Sequence, residues 1–325
     1  MLQFLIRRVL GAVVILVGIT IFTFALFYVV PQDPALLMCG KNCTDSNIQR
    51  IHENLGIDQP VINQFWDYLV GLFAGRDFAT TACPAPCLGV SFDTGTPVLD
   101  TIMDRFPLTL SLTFGGIFFF LIIGLGSGMI AAWYKGTLID KFFSGLSMTL
   151  SAFQIYVLGP LIMLALVYST GWLEKPADVP ITESVSGWAM GLLIPWFVIS
   201  TIFAAQYTRM SRASLIEQLQ EEHIRTARAK GMSRPYVFFR YAWRGSLVPI
   251  VTILGMDLGS LLGGAIATEF TFNLHGLGKL AVGAVNKVDM PMSMGVLLFG
   301  AFFILLLNIV VDALYAFIDP RVRLS

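Results

Sequence analysis

Residues 106–134 read FPLTLSLTFGGIFFFLIIGLGSGMIAAWY, a run of 29 positions without aspartate, glutamate, lysine or arginine. A helix needs roughly 20 apolar residues to cross the hydrocarbon core of a bilayer, so this run is long enough to span one. Working outward, comparable runs lie at 9–30, 142–172 and 184–208, and two more lie at 245–268 and 290–318, interrupted by Asp257 and Asp312. No short alternating strands recur as a membrane barrel would require, which leaves helices as the spanning elements. The sequence therefore predicts an all-α polytopic membrane protein with six transmembrane helices. Composition agrees. Hydrophobic residues make up 56% of the 325 and charged residues 13%, against about 25% charged in a soluble domain, and mean hydropathy is +0.74. Lys+Arg and Asp+Glu balance at 21 each, which excludes a nucleic-acid binder. A disordered chain and an ordinary soluble enzyme are excluded by the same figures.

The first run follows Arg7 and Arg8. It is 22 residues long, beyond the roughly 7–15 of a signal-peptide core, and Val29-Val30-Pro31 follows it instead of a small-residue cleavage pattern. It reads as an uncleaved helix. With the N-terminus inside, fourteen Lys and Arg fall in inside segments and seven outside, four of the seven in one long loop. The positive-inside rule thus predicts that both termini are cytoplasmic. The expected organisation is a first helix with its N-terminus (1–30), an extracytoplasmic loop domain (31–105), a five-helix core (106–318) containing a cytoplasmic loop (209–244), and a cytoplasmic tail (319–325).

All four cysteines, Cys39, Cys43, Cys83 and Cys87, lie in the outer loop. That setting favours disulfides. Three pairings are open, and a four-thiolate zinc site or free thiols remain as alternatives. In the same loop, Val61, Phe65, Leu69 and Leu72 form an apolar stripe at helical spacing, and 46–55 is a second helix candidate. His52-Glu53 begins like a zinc-protease motif, but the position for the second His is Gly56, so the motif fails.

The inner loop carries eight basic and three acidic residues. Residues 211–230 read as a helix stopped by Gly231, and Arg234-Pro235 opens a segment, 236–243, leading back to the membrane. The stretch Arg225-Thr226-Ala227-Arg228-Ala229-Lys230-Gly231 sets small residues beside a sharp turn, as a docking element for a cytoplasmic partner needs.

Thr226-Ala227-Arg228-Ala229-Lys230-Gly231 followed by Leu247-Val248-Pro249 resembles the cytoplasmic signature of bacterial ABC importer permeases. Pro31-Gln32-Asp33-Pro34, Leu55-Gly56-Ile57-Asp58-Gln59-Pro60 with Gln64, Pro97-Val98, and Arg105-Phe106-Pro107-Leu108-Thr109-Leu110 extend the match. So do Gly263-Gly264-Ala265, Glu269, Gly276-Leu277-Gly278, Asp312-Ala313-Leu314-Tyr315 and Asp319-Pro320-Arg321. Together and in order, they resemble the B-type permease subunit of dipeptide, oligopeptide and nickel ABC importers. The departures are Gln32 where the family has glycine, Arg225-Thr226 in place of Glu-Ala, and the cysteine-bearing inserts 38–43 and 80–88.

The resemblance implies an inner-membrane subunit that forms a translocation path for di- or oligopeptides with a homologous second permease. Nickel, haem or another small solute is the alternative cargo. The implied partners are two cytoplasmic ATPases docking at 225–231, an extracytoplasmic substrate-binding protein, the lipid bilayer and peptide, with no nucleic acid. ATP and Mg would be held by the ATPases, and no cofactor by this chain. No G-x-x-x-x-G-K-[ST] loop occurs, and Gly276-Leu277-Gly278-Lys279 lacks its spacing, which independently points to a non-catalytic subunit.

Asp257 and Asp312 are ionisable residues within spans, where a charge is costly and faces a cavity or a partner. With Gln154 and Glu269 they are the candidates for the path. Interhelical or helix-end hydrogen bonds are their structural alternative. Gly255, Gly259 and Gly263, and Gly124 and Gly128, give flat faces for close packing, and Pro160 and Pro195 are candidate kinks. His223 and His275 fall on opposite sides of the membrane and cannot share a metal. An intramembrane aspartyl enzyme lacks sequence context around Asp257 and Asp312, and an ion-coupled secondary transporter would show repeated halves, which are not visible.

Overall fold

The computed structural model describes residues 2–29, 44, 48, 60–78 and 81–318, with the side chains at 2–5, 28, 29, 312 and 314–318 outside that description. Cys39, Cys43, the expected helix at 46–55 apart from Ile48, and the expected tail at 319–325 therefore lie outside the described residues.

The chain begins with α1 (Leu2–Phe24), extended by a π-helical turn, Ala25–Val29. A small module follows: α2 (Val61–Ala74), then the two-stranded hairpin of β1 (Arg76–Asp77) and β2 (Ala82–Cys83), with Arg76 opposite Cys83. Next come α3 (Val98–Trp133), α4 (Leu138–Ser151), α5 (Ile155–Ile162) with a π-helical end at Met163–Ser169, and α6 (Val185–Gln218). The short α7 (Glu222–Ala229) and α8 (Arg234–Val237) precede α9 (Trp243–Leu262). Last are α10 (Ile266–Thr271), α11 (Leu277–Asn286) and α12 (Met290–Ile318).

Five stretches are long and apolar enough to cross a membrane, and α4 with α5 makes a sixth if that pair is one span bent by 103°. The helix expected over 142–172 is thus broken, and not at Pro160, its candidate kink. Ala152 and Phe153 donate to Thr149 and Leu150 in tight three-residue turns, and the helix restarts on the Gln154 carbonyl. Tertiary contacts pull the two halves apart. Arg212 of α6 pairs bidentately with Asp140 at the start of α4, and Arg209 donates to Ser151 at its end (2.9 Å). On α5, Gly159 abuts Thr271 and Phe272 of the α10 segment.

Other boundaries move for similar reasons. The fourth span runs on to Gln218 instead of stopping at 208, because Asp140 neutralises Arg212 while Ser211 and Leu215 are buried. The expected helix 211–230 is consequently two helices, parted by a turn at 219–221. The helix expected at 245–268 forms part of a span covering Arg234–Leu262. It ends where Gly264 adopts φ +125°, and a Cβ added there would lie 2.9 Å from the Gly278 backbone, an approach that only glycine permits. α3 starts at Val98, eight residues before the charge-free run.

The parallel pair α3 and α6 is the most extensive helix contact. A Cβ added at Gly124 would lie 2.7 Å from Tyr207 and 3.0 Å from the Ala204 carbonyl oxygen, so the two backbones nearly touch. Ile117, Phe120, Ile199, Ala204 and Tyr207 fill the layer beside this contact and meet Ile250 of α9. On the other side of α9, Gly255 and Gly259 abut Val311 and Ile304 of α12.

The small module caps the end of the bundle where α3 begins. A disulfide joins Cys83 to Cys87, so neither sulfur is a free thiolate for a metal. Leu88 packs with Val98, Ile102, Leu277, Met292 and Val296. Asp289, buried just before α12, accepts from Ser91 Oγ and from the Phe92 and Met292 amides. These contacts fasten the module to α11 and α12.

Gly124→Val should force α3 and α6 apart. Overpacking of this kind costs about 1–3 kcal/mol, which thermal unfolding of the purified protein in detergent should register as a lowered Tm. An unchanged Tm would mean that the contact is not tight.

Candidate functional site

The residues singled out in sequence fall into three places. The first is the end of the bundle where α3 finishes, built by α7 and its turn. Ile224 and Ala227 of α7 face inward and pack with Ala132, Leu215, Val237, Phe238 and Ala242. Arg225, Thr226, Arg228, Ala229, Lys230 and Gly231 are exposed. Ala227 is small because it lies under the helix, leaving the other six as the outward surface. The stop at Gly231 is a complete left-handed cap. Gly231 has φ +77°, its amide donates to Arg228 (2.9 Å), and the Met232 amide donates to Ala227 (3.3 Å). Met232 then packs into the same apolar cluster, as this cap geometry favours. Arg234 stacks over the Trp133 ring (4.7 Å) and donates to its carbonyl (2.6 Å), fixing the return helix to the end of α3. A cavity of about 270 Å³, lined by Lys135, Arg228 and Arg234 among others, lies beside this joint.

The second place is the middle of the bundle. Asp257 on α9 accepts from the Tyr207 hydroxyl (2.8 Å) on α6, and Tyr207 itself is fully buried. Gln154 is exposed at the α4–α5 break, and Gln206 is exposed on α6 next to Tyr207. Asp312 belongs to α12, with its side chain outside the described residues. Asp257 and Gln154 are not in contact by any hydrogen bond among the described residues.

Glu269 belongs to neither place. It has no solvent exposure and ties α10 both to the neighbouring α11 and to α3, 160 positions earlier. Its Oε1 accepts from Thr109 Oγ1 (2.9 Å) and its Oε2 from the Lys279 amide (2.9 Å), while Thr109 Oγ1 accepts from the Leu277 amide (2.9 Å). A carboxylate here meets the free amides and positive end of α11. Burial pushes the Glu269 carboxyl above the ordinary glutamate value, and the donors from Lys279, Thr109 and Gly278 oppose that push. A side chain at Gly276 would collide with the carboxylate, and one at Gly278 would strike the Ile266 backbone. Glu269 therefore acts through the fold, holding α10 and α11 against α3.

Sequence reasoning missed Thr109, Tyr207, Asp140 and Asp289 as partners. Thr109 and Glu269 stand in separate motifs, and only folding brings them together. No group of three or more His, Cys, Asp or Glu suited to a metal occurs among the described residues.

Comparison with known proteins assigns the family. Residues 124–324 match the family described as binding-protein-dependent transport system inner membrane component, and residues 1–113 match its N-terminal counterpart. The chain belongs to this permease family. It is 33% identical over 323 residues to the glutathione transport system permease protein GsiC of Escherichia coli O6:H1, covering 99% of both chains. The same-named protein of Shigella dysenteriae serotype 1 matches to the same extent. Among solved structures, the inward-facing MetNI methionine ABC transporter aligns with a TM-score of 0.55 at 17% identity, covering 68% of this chain and 97% of that one. That likeness concerns the fold. The family makes this chain a multi-pass inner-membrane permease component of an ABC importer, a subunit that is not an enzyme. Such a transporter implies ATPase and binding-protein partners, with ATP hydrolysed by the ATPases.

Thr109→Val should leave the Leu277 amide without its acceptor and remove a donor from Glu269. An orphaned buried group costs about 1–3 kcal/mol. Limited proteolysis should find the 264–280 segment cleaved faster than in wild type, while the α7 region keeps its wild-type rate. Equal rates at 264–280 would refute the tie.

Proposed function

We propose that this chain is a translocation subunit of an ATP-driven importer for small peptides, working with a homologous second permease and driven by two ATPases docked on α7. The observation that carries the reading is the construction of α7. Its inner face is fused to the ends of α3, α6 and the α8–α9 segment, and its outer face is free and capped by a rigid turn. A force applied to that surface is passed to three spans at once. The eight basic residues of 209–244 assign this end to the cytoplasm, and the module of α2 and the hairpin to the outside.

The second permease would cover the polar residues that this chain exposes along its spans. Gln154 and Ser151 at the α4–α5 break are exposed, as are Gln206 and Arg209, one helical turn apart on α6. Such groups are costly against lipid. A partner permease and a water-filled path between the two would relieve that cost, with Asp257 held at the path's edge by Tyr207. The peptide cargo is supported by the full-length similarity to glutathione permeases, since glutathione is itself peptide-like.

The test is co-purification followed by uptake. Gly231→Pro forces φ from +77° to about −65° and unmakes the cap. Tagged wild type should retain an ATPase and a second permease in mild detergent. The variant should lose at least about nine-tenths of the ATPase while keeping the permease. A wild-type chain that transports alone after reconstitution would overturn the reading.

A further inference from the structure

On the face opposite α7, a cavity of about 400 Å³ lies between the start of α3, the loop 178–182 and the first turn of α6. Its volume is in the range of small-ligand sites, roughly 300–1,000 Å³. Two of its lining residues, Arg105 and Trp188, each carry a buried side-chain N–H without a hydrogen-bond partner, Nε and Nε1. The nearest carboxylate to Arg105 Nε is that of Asp104, 3.6 Å away and 80% exposed. Buried donors are paired in nearly all folded proteins, so two orphans on one cavity call for an acceptor. The guanidinium of Arg105 and the indole of Trp188 both suit a carboxylate.

The same wall carries the opposite charge. Asp178 lines the cavity, with the His275 ring 4.0 Å from its carboxylate. A dianion such as phosphate would meet repulsion from Asp178 and Asp104. A lone acidic side chain of a docking protein would satisfy the donors and leave Asp178 with only the His275 ring beside it. A ligand with one carboxylate and one ammonium group answers both.

We propose that this cavity is a subsite for a zwitterionic peptide, which sets its carboxylate on the Arg105 and Trp188 N–H donors and its ammonium group toward Asp178. This rests on the peptide-importer reading and adds a resting point on the permease itself, at the outer end of the bundle. The site receives a peptide at the mouth before the path opens, and it selects for free termini.

The experiment uses the full-length chain purified in its assembled complex, without binding protein, in lipid nanodiscs. Trialanine and its C-terminal amide are the probes, read by saturation-transfer NMR. Wild type should bind the acid about tenfold more tightly than the amide, the factor expected for a charge-assisted hydrogen bond. Arg105→Gln should abolish that preference. Asp178→Asn should weaken trialanine and leave its N-acetylated form unchanged. Ile181→Trp, which fills the cavity from the exposed loop and removes no charge, should block all three peptides and guards against misfolding of the charge variants. Equal binding of acid and amide by wild type, or a preference that survives Arg105→Gln, overturns the proposal. If the importer still carries peptides in that case, the subsite alone fails. If it carries no peptide with its binding protein present, the underlying reading fails.

Discussion

The buried carboxylate of Glu269 is the point at which three helices, α3, α10 and α11, must agree. Thr109 approaches it from α3, the first amides of α11 from the other side, and α10 supplies the carboxylate itself. Two glycines, Gly276 and Gly278, exist there because the approach leaves no room for side chains. A buried acid survives only when its lone pairs are answered, so each member of the knot obliges the others. The start of α3, on which the small module rests, and the end of α9 are both referenced to this one group.

At the other end of the same long helix the logic is apolar. Trp133, Phe238 and Arg234 lock the return of the chain onto the end of α3, and Ile224 and Ala227 seal α7 on top. α3 has 36 residues, about 54 Å at 1.5 Å per residue, and joins the two constructions as a single strut. α6 lies along it with almost no gap at Gly124 and Gly128. Movement imposed on α7 therefore reaches the opposite face through two rods that cannot easily slide by less than a whole side-chain repeat.

The spans were legible because charge-free runs of this length have few alternatives. The sequence also marked the Gly231 stop, the stripe of α2 and the glycine faces. What it hid was pairing. Arg209 and Arg212 read as the end of a span because their partners, Ser151 and Asp140, lie some sixty to seventy residues earlier. The break at 152–154 carries no glycine or proline to mark it, and Pro160, the obvious candidate, lies inside α5. Ala227 belongs to the docking motif by its place in the sequence, but its apolar neighbours Leu215 and Ile224 turn it inward. Glu269 was noticed as a charge near a span, but its role depends on Thr109, 160 positions away.

α4 is built inside out. Asp140, Ser144, Ser147 and Ser151 share the face that meets α6, while Leu138, Phe142, Leu146 and Met148 point away from the protein. During synthesis α4 emerges well before α6, so this polar stripe has nothing to meet when it is first made. The Arg212–Asp140 pair and the buried seat of Ser147 form only once α6 has been made, which makes the third and fourth spans a single unit of assembly.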